Sequence, residues 1–368
     1  MKYLISGGGT GGHIYPALAI AKEIKRKDRN ADILYVGTKK GMESELVPKE
    51  GFRFETIRVE GMPRKLNKDS FIALIELFNG LRDSNKILKK FKPDIVIGTG
   101  GYVSGPIVYR AKKNNIPAII HEQNAFPGIT NKILARYVDK VAITFEESIK
   151  YFKHPENIVL TGNPIRREIL EMDKKEAYRK LDIDDKIPFV LSFGGSGGQK
   201  KLNTAIIDMI EDIGDNMSMQ LIHITGKNRY DDFMSEIKKR NLQLNDNIRI
   251  LPYLYDMAQA LNIADIVISS SGAITLAEIS AIGIPSILIP KAYTAENHQE
   301  YNARAFEDKN AAIVILEKEL TGKILARAIK DLIGDKKRLQ DMSCNSKKLG
   351  NIYATEKIVD VIYGLISK

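Results

Sequence analysis

The chain has 368 residues, 43% of them hydrophobic and 28% charged, a formal net charge of +10 and one cysteine. That length exceeds one ordinary domain and the composition supports a full core, so two domains of similar size are expected. No apolar run approaches the roughly 20 residues of a membrane span, Cys344 has no disulfide partner, and no Cys/His spacing suits zinc.

The first residues read as a strand and a glycine turn rather than a secretory signal, so the chain reads as cytoplasmic. Its charge is unevenly placed. Residues 1–160 carry 27 Lys and Arg against 17 Asp and Glu, whereas the remaining 208 residues carry 29 of each. The asymmetry predicts an anionic partner for the first half, either nucleic acid or an anionic membrane face.

Residues 1–15, MKYLISGGGTGGHIY, set the pattern. Residues 2–6 form a short apolar strand, glycines 7–12 a turn broken only by Thr10, and His13 opens an Ala-rich helical stretch. A strand turning through glycines into a helix gathers unpaired N–H groups where an anion can sit. The turn contains G-x-G-x-x-G, but dinucleotide binding also wants an acid at the end of the second strand. Here that strand ends in Gly37-Thr38-Lys39-Lys40, which disfavours a dinucleotide. A lone histidine is more often structural, yet His13 at a glycine turn is placed to take a hydroxyl proton, and we take it as the candidate base.

Further strands are expected at 33–37, 54–59, 94–98, 118–121 and 140–143, then at 189–193, 220–225, 248–251, 266–269, 286–289 and 312–316. Helical stretches alternate with them, the sign of an α/β fold on parallel sheets. Most apolar residues of the segment 71–88 are expected to pack on the sheet. Arg64, Lys65, Lys68, Arg82, Lys86, Lys89, Lys90 and Lys92 flank it, which suits docking on an anionic bilayer. No nucleic-acid module is recognisable.

Residues 98–106, GTGGYVSGP, place Tyr102 at a strand end. His121-Glu122-Gln123-Asn124 follow the next strand, four hydrogen-bonding side chains suited to gripping sugar hydroxyls. His121 and Glu122 lack a second ligand pair for a metal. Thr161 to Arg167 read as a turn or linker. The halves then echo each other: the 189–193 strand runs into Gly194-Gly195-Ser196-Gly197-Gly198 as the first strand runs into its glycines. Ser196 and its turn form a second anion cradle, and Arg166 can add positive charge. Glu278, one turn into the helix after Ser271-Gly272, suits a ribose or, more plainly, a helix dipole. Asp182-Ile183-Asp184 matches a metal-binding D-x-D by chance, at the wrong end of its strand.

GGGTGGHIYPALAIA (7–21), GTGGYVSGP, HEQN (121–124), TGNPIR (161–166), GGSGG (194–198), SSGAITLAE (270–278) and NHQ (297–299) occur in order along nearly the whole chain. Together they resemble the bacterial MurG family, transferases that add N-acetylglucosamine to lipid I and so make lipid II for peptidoglycan. The resemblance implies a GT-B glycosyltransferase fold of two Rossmann-like domains facing across a cleft. Domains are expected at 1–162 and 163–350, with a final helix in 351–368 returning to the first. It implies UDP-GlcNAc as donor, lipid I as acceptor, and no cofactor or tightly bound metal.

The same resemblance assigns Ser196, Arg166 and Thr275 to the diphosphate, Glu278 to the ribose, Leu254 to the uracil, and Asn124 and Gln299 to the sugar. Ala273, Ile274, Leu276 and Ala277 join the donor site. Thr10, Gly11 and Gly12 reach the donor while lining, with His13, the acceptor side, where Gly9, Tyr102, His121 and Glu122 also stand. A peripheral position on the cytoplasmic face of the cell membrane is implied, with cell-wall synthesis and division proteins as partners and no nucleic acid. The rivals are a UDP-N-acetylglucosamine 2-epimerase of the same fold and a non-enzymatic nucleotide-sugar-binding membrane protein.

Overall fold

A computed structural model describes residues 1–61, 68–166, 169–195, 197–213 and 218–367. The chain divides into two compact units, Met1–Ile165 with Ile352–Lys368, and Arg166–Asn351. The first boundary thus falls three residues beyond the expected 162.

The first unit holds a parallel sheet of β1 (Lys2–Ser6), β2 (Asp32–Gly37), β3 (Arg53–Thr56), β4 (Ile95–Gly98), β5 (Ala118–Glu122), β6 (Lys140–Ile143) and β7 (Ile158–Leu160). Its order is β3-β2-β1-β4-β5-β6-β7. β1, β4 and β5 are buried along nearly their whole length, because helices cover both faces of a parallel sheet and leave little room for polar alternation. β7 has no counterpart in the expected strands. It is a three-residue edge strand with Leu160 exposed, too short to carry a pattern.

Helix Gly11–Lys27 turns Ile14, Ala17, Leu18, Ala21 and Ile24 inward at helical spacing. They join Tyr3, Ile5 and Ile97 of the sheet and Ile358, Val359 and Ile362 of the last helix, Ala354–Ile366, in one core. Helix Lys68–Phe91 behaves differently along its length. Ile87, Leu88 and Phe91 are buried in the sheet's other core, whereas Phe71, Ile72, Leu74, Ile75 and Phe78 are exposed. The expectation that this segment packs mostly on the sheet is therefore wrong for its first half. Arg64 and Lys65 lie outside the described residues. Among the described residues, no helix is long and apolar enough to cross a membrane.

The second unit repeats the plan with β8 (Phe189–Phe193), β9 (Gln220–Ile224), β10 (Ile248–Leu251), β11 (Ile266–Ser269), β12 (Ser286–Leu288) and β13 (Ala312–Val314), all parallel, in the order β10-β9-β8-β11-β12-β13. His223 of β9 is fully buried. Its Nδ1 accepts from Ser192 Oγ at 2.9 Å, and its Nε2 donates to Asn203 Oδ1 at 3.2 Å. The imidazole thereby ties β8 to helix Lys200–Ile213 in its neutral form, and burial pushes its pKa down to about 3. Asp182 ends helix Lys174–Leu181 in a left-handed conformation and Asp184 accepts from Lys186 N–H, so both are turn residues.

Two outcomes follow from these cores. Ile358→Ala should cost about 2–4 kcal/mol, read as a lower urea midpoint; an unchanged midpoint would remove the last helix from the core. The unfolded chain protonates His223 below about 6.5, while the folded chain keeps it neutral to about 3. The unfolded state then binds more protons, so stability should fall between those values as pH drops, by about 1.4 kcal/mol per unit. Urea titrations from pH 7 to 4 should be flatter for His223→Gln.

Candidate functional site

In doubly wound sheets, ligands bind beyond the strands' carboxyl ends where the strand order reverses. That point lies between β1 and β4 in the first unit and between β8 and β11 in the second.

In the first unit the two loops are knitted together. Thr99 N–H donates to Ser6 O at 2.9 Å, Gly8 N–H to Gly100 O at 3.4 Å, and Thr99 Oγ1 to His13 O at 2.7 Å. Gly100 and Gly101 both have positive φ, and a Cβ on Gly100 would sit 2.8 Å from His13 Nδ1. Against this backbone His13 is oriented by acceptors. Its Nδ1 lies 3.0 Å from Thr99 O and 3.1 Å from Gln123 Oε1, so Nδ1 carries the proton. Nε2 has no hydrogen-bond partner among the described residues and is left as a lone pair. The chain of contacts extends inward. Gln123 Nε2 donates to Thr99 O at 2.8 Å and to His121 Nδ1 at 3.0 Å, and His121 Nε2 donates to Gly162 O at 3.0 Å. Burial lowers the pKa of His121 to about 4, consistent with its role as a neutral link.

The row His121-Glu122-Gln123-Asn124 therefore does not present four side chains to a sugar. The first three are each 1% exposed. Glu122 accepts from Asn124 N and Nδ2 and from Gly128 N and Asn131 Nδ2, which satisfies its carboxylate internally. Strand β5 runs one residue longer than expected, to Glu122, and is buried on both faces. Asn124 alone of the four is half-buried at the rim. Gly9, Thr10 and Gly12 are exposed, while Gly11 is half-buried in the first turn of helix Gly11–Lys27. Half-buried Tyr102 has its ring within 3.2 Å of a Cβ position on Gly9; burial and then the charge of Glu43 raise its pKa.

Glu43 is a residue the sequence does not betray. It is wholly buried, accepts from Gly9 N–H and from Thr38 N–H and Oγ1, and fills the space that side chains on Gly8, Gly37 and Gly41 would need. Nothing in GMESELV marks it as buried.

In the second unit, Gly195 and Gly198 have φ of +78° and +68°, and Gly198 N–H closes a turn on Gly195 O at 2.9 Å. A Cβ on Gly198 would fall 1.9 Å from Thr225 O. Ser196 lies outside the described residues. Across the switch point, Gly272 caps helix Ala273–Ile282, whose first residues Ala273, Ile274 and Thr275 are half-buried. Ala277 is also half-buried, but Leu276 is fully buried and its N–H is spent on Gly272 O. Its side chain packs inward.

Glu278 is buried and receives Arg166 Nε at 2.9 Å, so the residues expected on ribose and diphosphate hold each other. Burial raises the pKa of Glu278, and Arg166 opposes the rise. Leu254 is buried in the loop after β10. Gln299, at the start of helix His298–Glu307, is buried too, with Oε1 accepting from Lys291 N–H at 3.0 Å and its carbonyl from Ser271 Oγ at 2.6 Å.

Residues 3–143 match the glycosyltransferase family 28 N-terminal domain, and residues 189–358 match the family 28 C-terminal domain. Over its whole length the chain is 51% identical to a Finegoldia magna UDP-N-acetylglucosamine–N-acetylmuramyl-(pentapeptide) pyrophosphoryl-undecaprenol N-acetylglucosamine transferase, covering 99% of that protein. The crystal structure of Acinetobacter baumannii MurG superposes with a TM-score of 0.79 at 27% identity, covering 99% of this chain and all of that one. A Neisseria meningitidis UDP-GlcNAc 2-epimerase bound to UDP-GlcNAc shares the fold at a TM-score of 0.70 but only 14% identity, covering 99% of this chain and all of that one. Two parallel Rossmann-like sheets, a histidine with a fixed tautomer after the first strand and full-length identity place the chain in the MurG family of GT-B glycosyltransferases.

Proposed function

We propose that this protein transfers N-acetylglucosamine from UDP-GlcNAc to the C4 hydroxyl of the MurNAc sugar of lipid I, giving lipid II and UDP. The observation that carries the chemistry is the His13 imidazole, with its Nδ1–H held by Thr99 O and Gln123 Oε1 and its Nε2 open. The acceptor hydroxyl attacks the anomeric carbon as the bond from that carbon to the diphosphate oxygen breaks, inverting the centre. The hydroxyl proton passes to Nε2, and the imidazolium keeps its Nδ1–H on two oxygen acceptors that stabilise the new charge. The leaving diphosphate is assigned to the second unit, where the glycine turn, the amino end of helix Ala273–Ile282 and Arg166 offer N–H groups and charge without a metal. Donor binding then takes Arg166 from Glu278 and leaves that carboxylate for the ribose. Full-length identity to named transferases favours this reading over epimerisation.

Incubating the protein with labelled UDP-GlcNAc and a lipid I analogue should put label in the lipid. His13→Ala should lower turnover by about 100-fold or more with little change in UDP affinity; unchanged turnover would take the base role from His13. Label that only changes sugar identity would mark an epimerase.

The lipid acceptor gives meaning to the exposed residues of helix Lys68–Phe91. Phe71 is 68% and Phe78 61% exposed, and Arg82, Lys86, Lys89 and Lys90 follow on the same helix. We assign this face to the anionic surface of the cytoplasmic leaflet, making the protein peripheral. Phe71→Asp with Phe78→Asp should cut sedimentation with phosphatidylglycerol vesicles severalfold and spare turnover on a water-soluble acceptor. Undiminished sedimentation would place the membrane contact elsewhere.

A further inference from the structure

Lys291 follows β12 and turns its ammonium over the glycine turn that follows β8. Its Nζ donates to Gly198 O at 3.0 Å, and a Cβ on Gly195 would lie 3.9 Å from that Nζ and 3.5 Å from Ser270 Oγ. Lysine and serine hydroxyl therefore approach the same glycine of the turn. A second cation comes from the other side: the Cδ of Arg229 is 3.3 Å from the Cβ position of Gly198.

The base of the lysine is anchored on three sides. Its own N–H donates to Gln299 Oε1, the next N–H, of Ala292, donates to Glu317 Oε2 at 3.1 Å, and Glu317 Oε1 accepts from Gln199 Nε2 at 2.9 Å. Gln199 Nε2 also reaches Ile289 O, so the loops after β8, β12 and β13 are pinned together beneath the ammonium. Above that frame the charge is poorly answered. Among the described residues Nζ has one hydrogen-bond partner, a neutral carbonyl, and no ion pair. Burial lowers the pKa of Lys291; Glu317 offsets this in part and Arg229 adds to it. A half-buried ammonium, a neighbouring guanidinium and a hydroxyl around this glycine turn form a cradle suited to an anion.

We infer that Lys291 binds the diphosphate of the donor and meets the charge that gathers on UDP as the sugar leaves. This rests on the donor reading above and adds a residue to it. Lys291 stays protonated throughout: the electron pair of the breaking bond goes to the phosphate oxygen, and no proton moves from the ammonium. Its position after β12 lets it reach across β11 to the β8 turn, a span set by the strand order.

The test is calorimetric and NMR titration of the full chain with UDP, UMP and uridine. Lys291→Met should weaken UDP by about 10- to 100-fold, UMP by less, and uridine not at all. Lys291→Arg should stay within about threefold of the parent for all three. Unchanged uridine binding also reports that the loop is still folded. Parent-like UDP affinity in Lys291→Met, or an equal loss for all three ligands, would overturn the inference. A parent protein that does not bind UDP would overturn the donor reading itself.

Discussion

The carbonyl of Thr99 holds together the loops at the carboxyl end of the first sheet. It receives the imidazole N–H of His13 at 3.0 Å and the amide of Gln123 at 2.8 Å, while its own N–H is fixed to β1. Together with Gln123 Oε1, that oxygen decides which nitrogen of His13 carries the proton and which way the ring faces. The direction of that oxygen depends in turn on Gly100, whose φ of +102° carries the chain onward without a side chain striking the imidazole. Histidine, amide and glycine stand or fall together, and a substitution at any of them acts on the same bond.

The two sheets share a plan and differ in chemistry. At the first, the edge is neutral: an imidazole, an amide and carbonyls, with Glu43 and Glu122 both turned inward to hold loops. At the second, Arg229 and Lys291 stand at the glycine turn after β8, and Arg166 pairs with Glu278 of helix Ala273–Ile282. Yet the excess positive charge of the sequence sits in the first half, and the second is balanced. Net charge by region and charge at a site are separate quantities. Lysines of the first half such as Lys86, Lys89 and Lys90 are exposed and spread the charge over a surface, whereas a few cations in a balanced half suffice to make one turn locally positive.

The strands were legible because a parallel sheet buries both faces and writes itself as runs such as Ile95-Val96-Ile97. The glycine turns were legible because positive φ leaves few other residues. What escaped was set by contacts between distant positions. Glu43 reads as a surface acid and is buried where three glycines, Gly8, Gly37 and Gly41, open space around it. The inward direction of Glu122 and Gln123 depends on partners at Asn131 and His13 that local sequence does not display. Lys291 stands beyond a strand end with no motif of its own, and its meaning comes from Gly198, 93 residues earlier. The apolar start of helix Lys68–Phe91 has the composition of a core segment, and only its position on the surface tells it apart.

The last helix gives synthesis an order. Ile358, Val359 and Ile362 belong to the same core as Tyr3, Ile5 and Ile14, laid down at the opposite end of the chain. As the polypeptide leaves the ribosome, the first sheet can pair its strands early, but one wall of its core stays uncovered until helix Ala354–Ile366 has been made. The intervening unit, Arg166–Asn351, is complete before that wall is closed. The first unit is therefore completed after the second, and a nascent chain stalled before residue 354 carries an exposed apolar face beside the histidine turn.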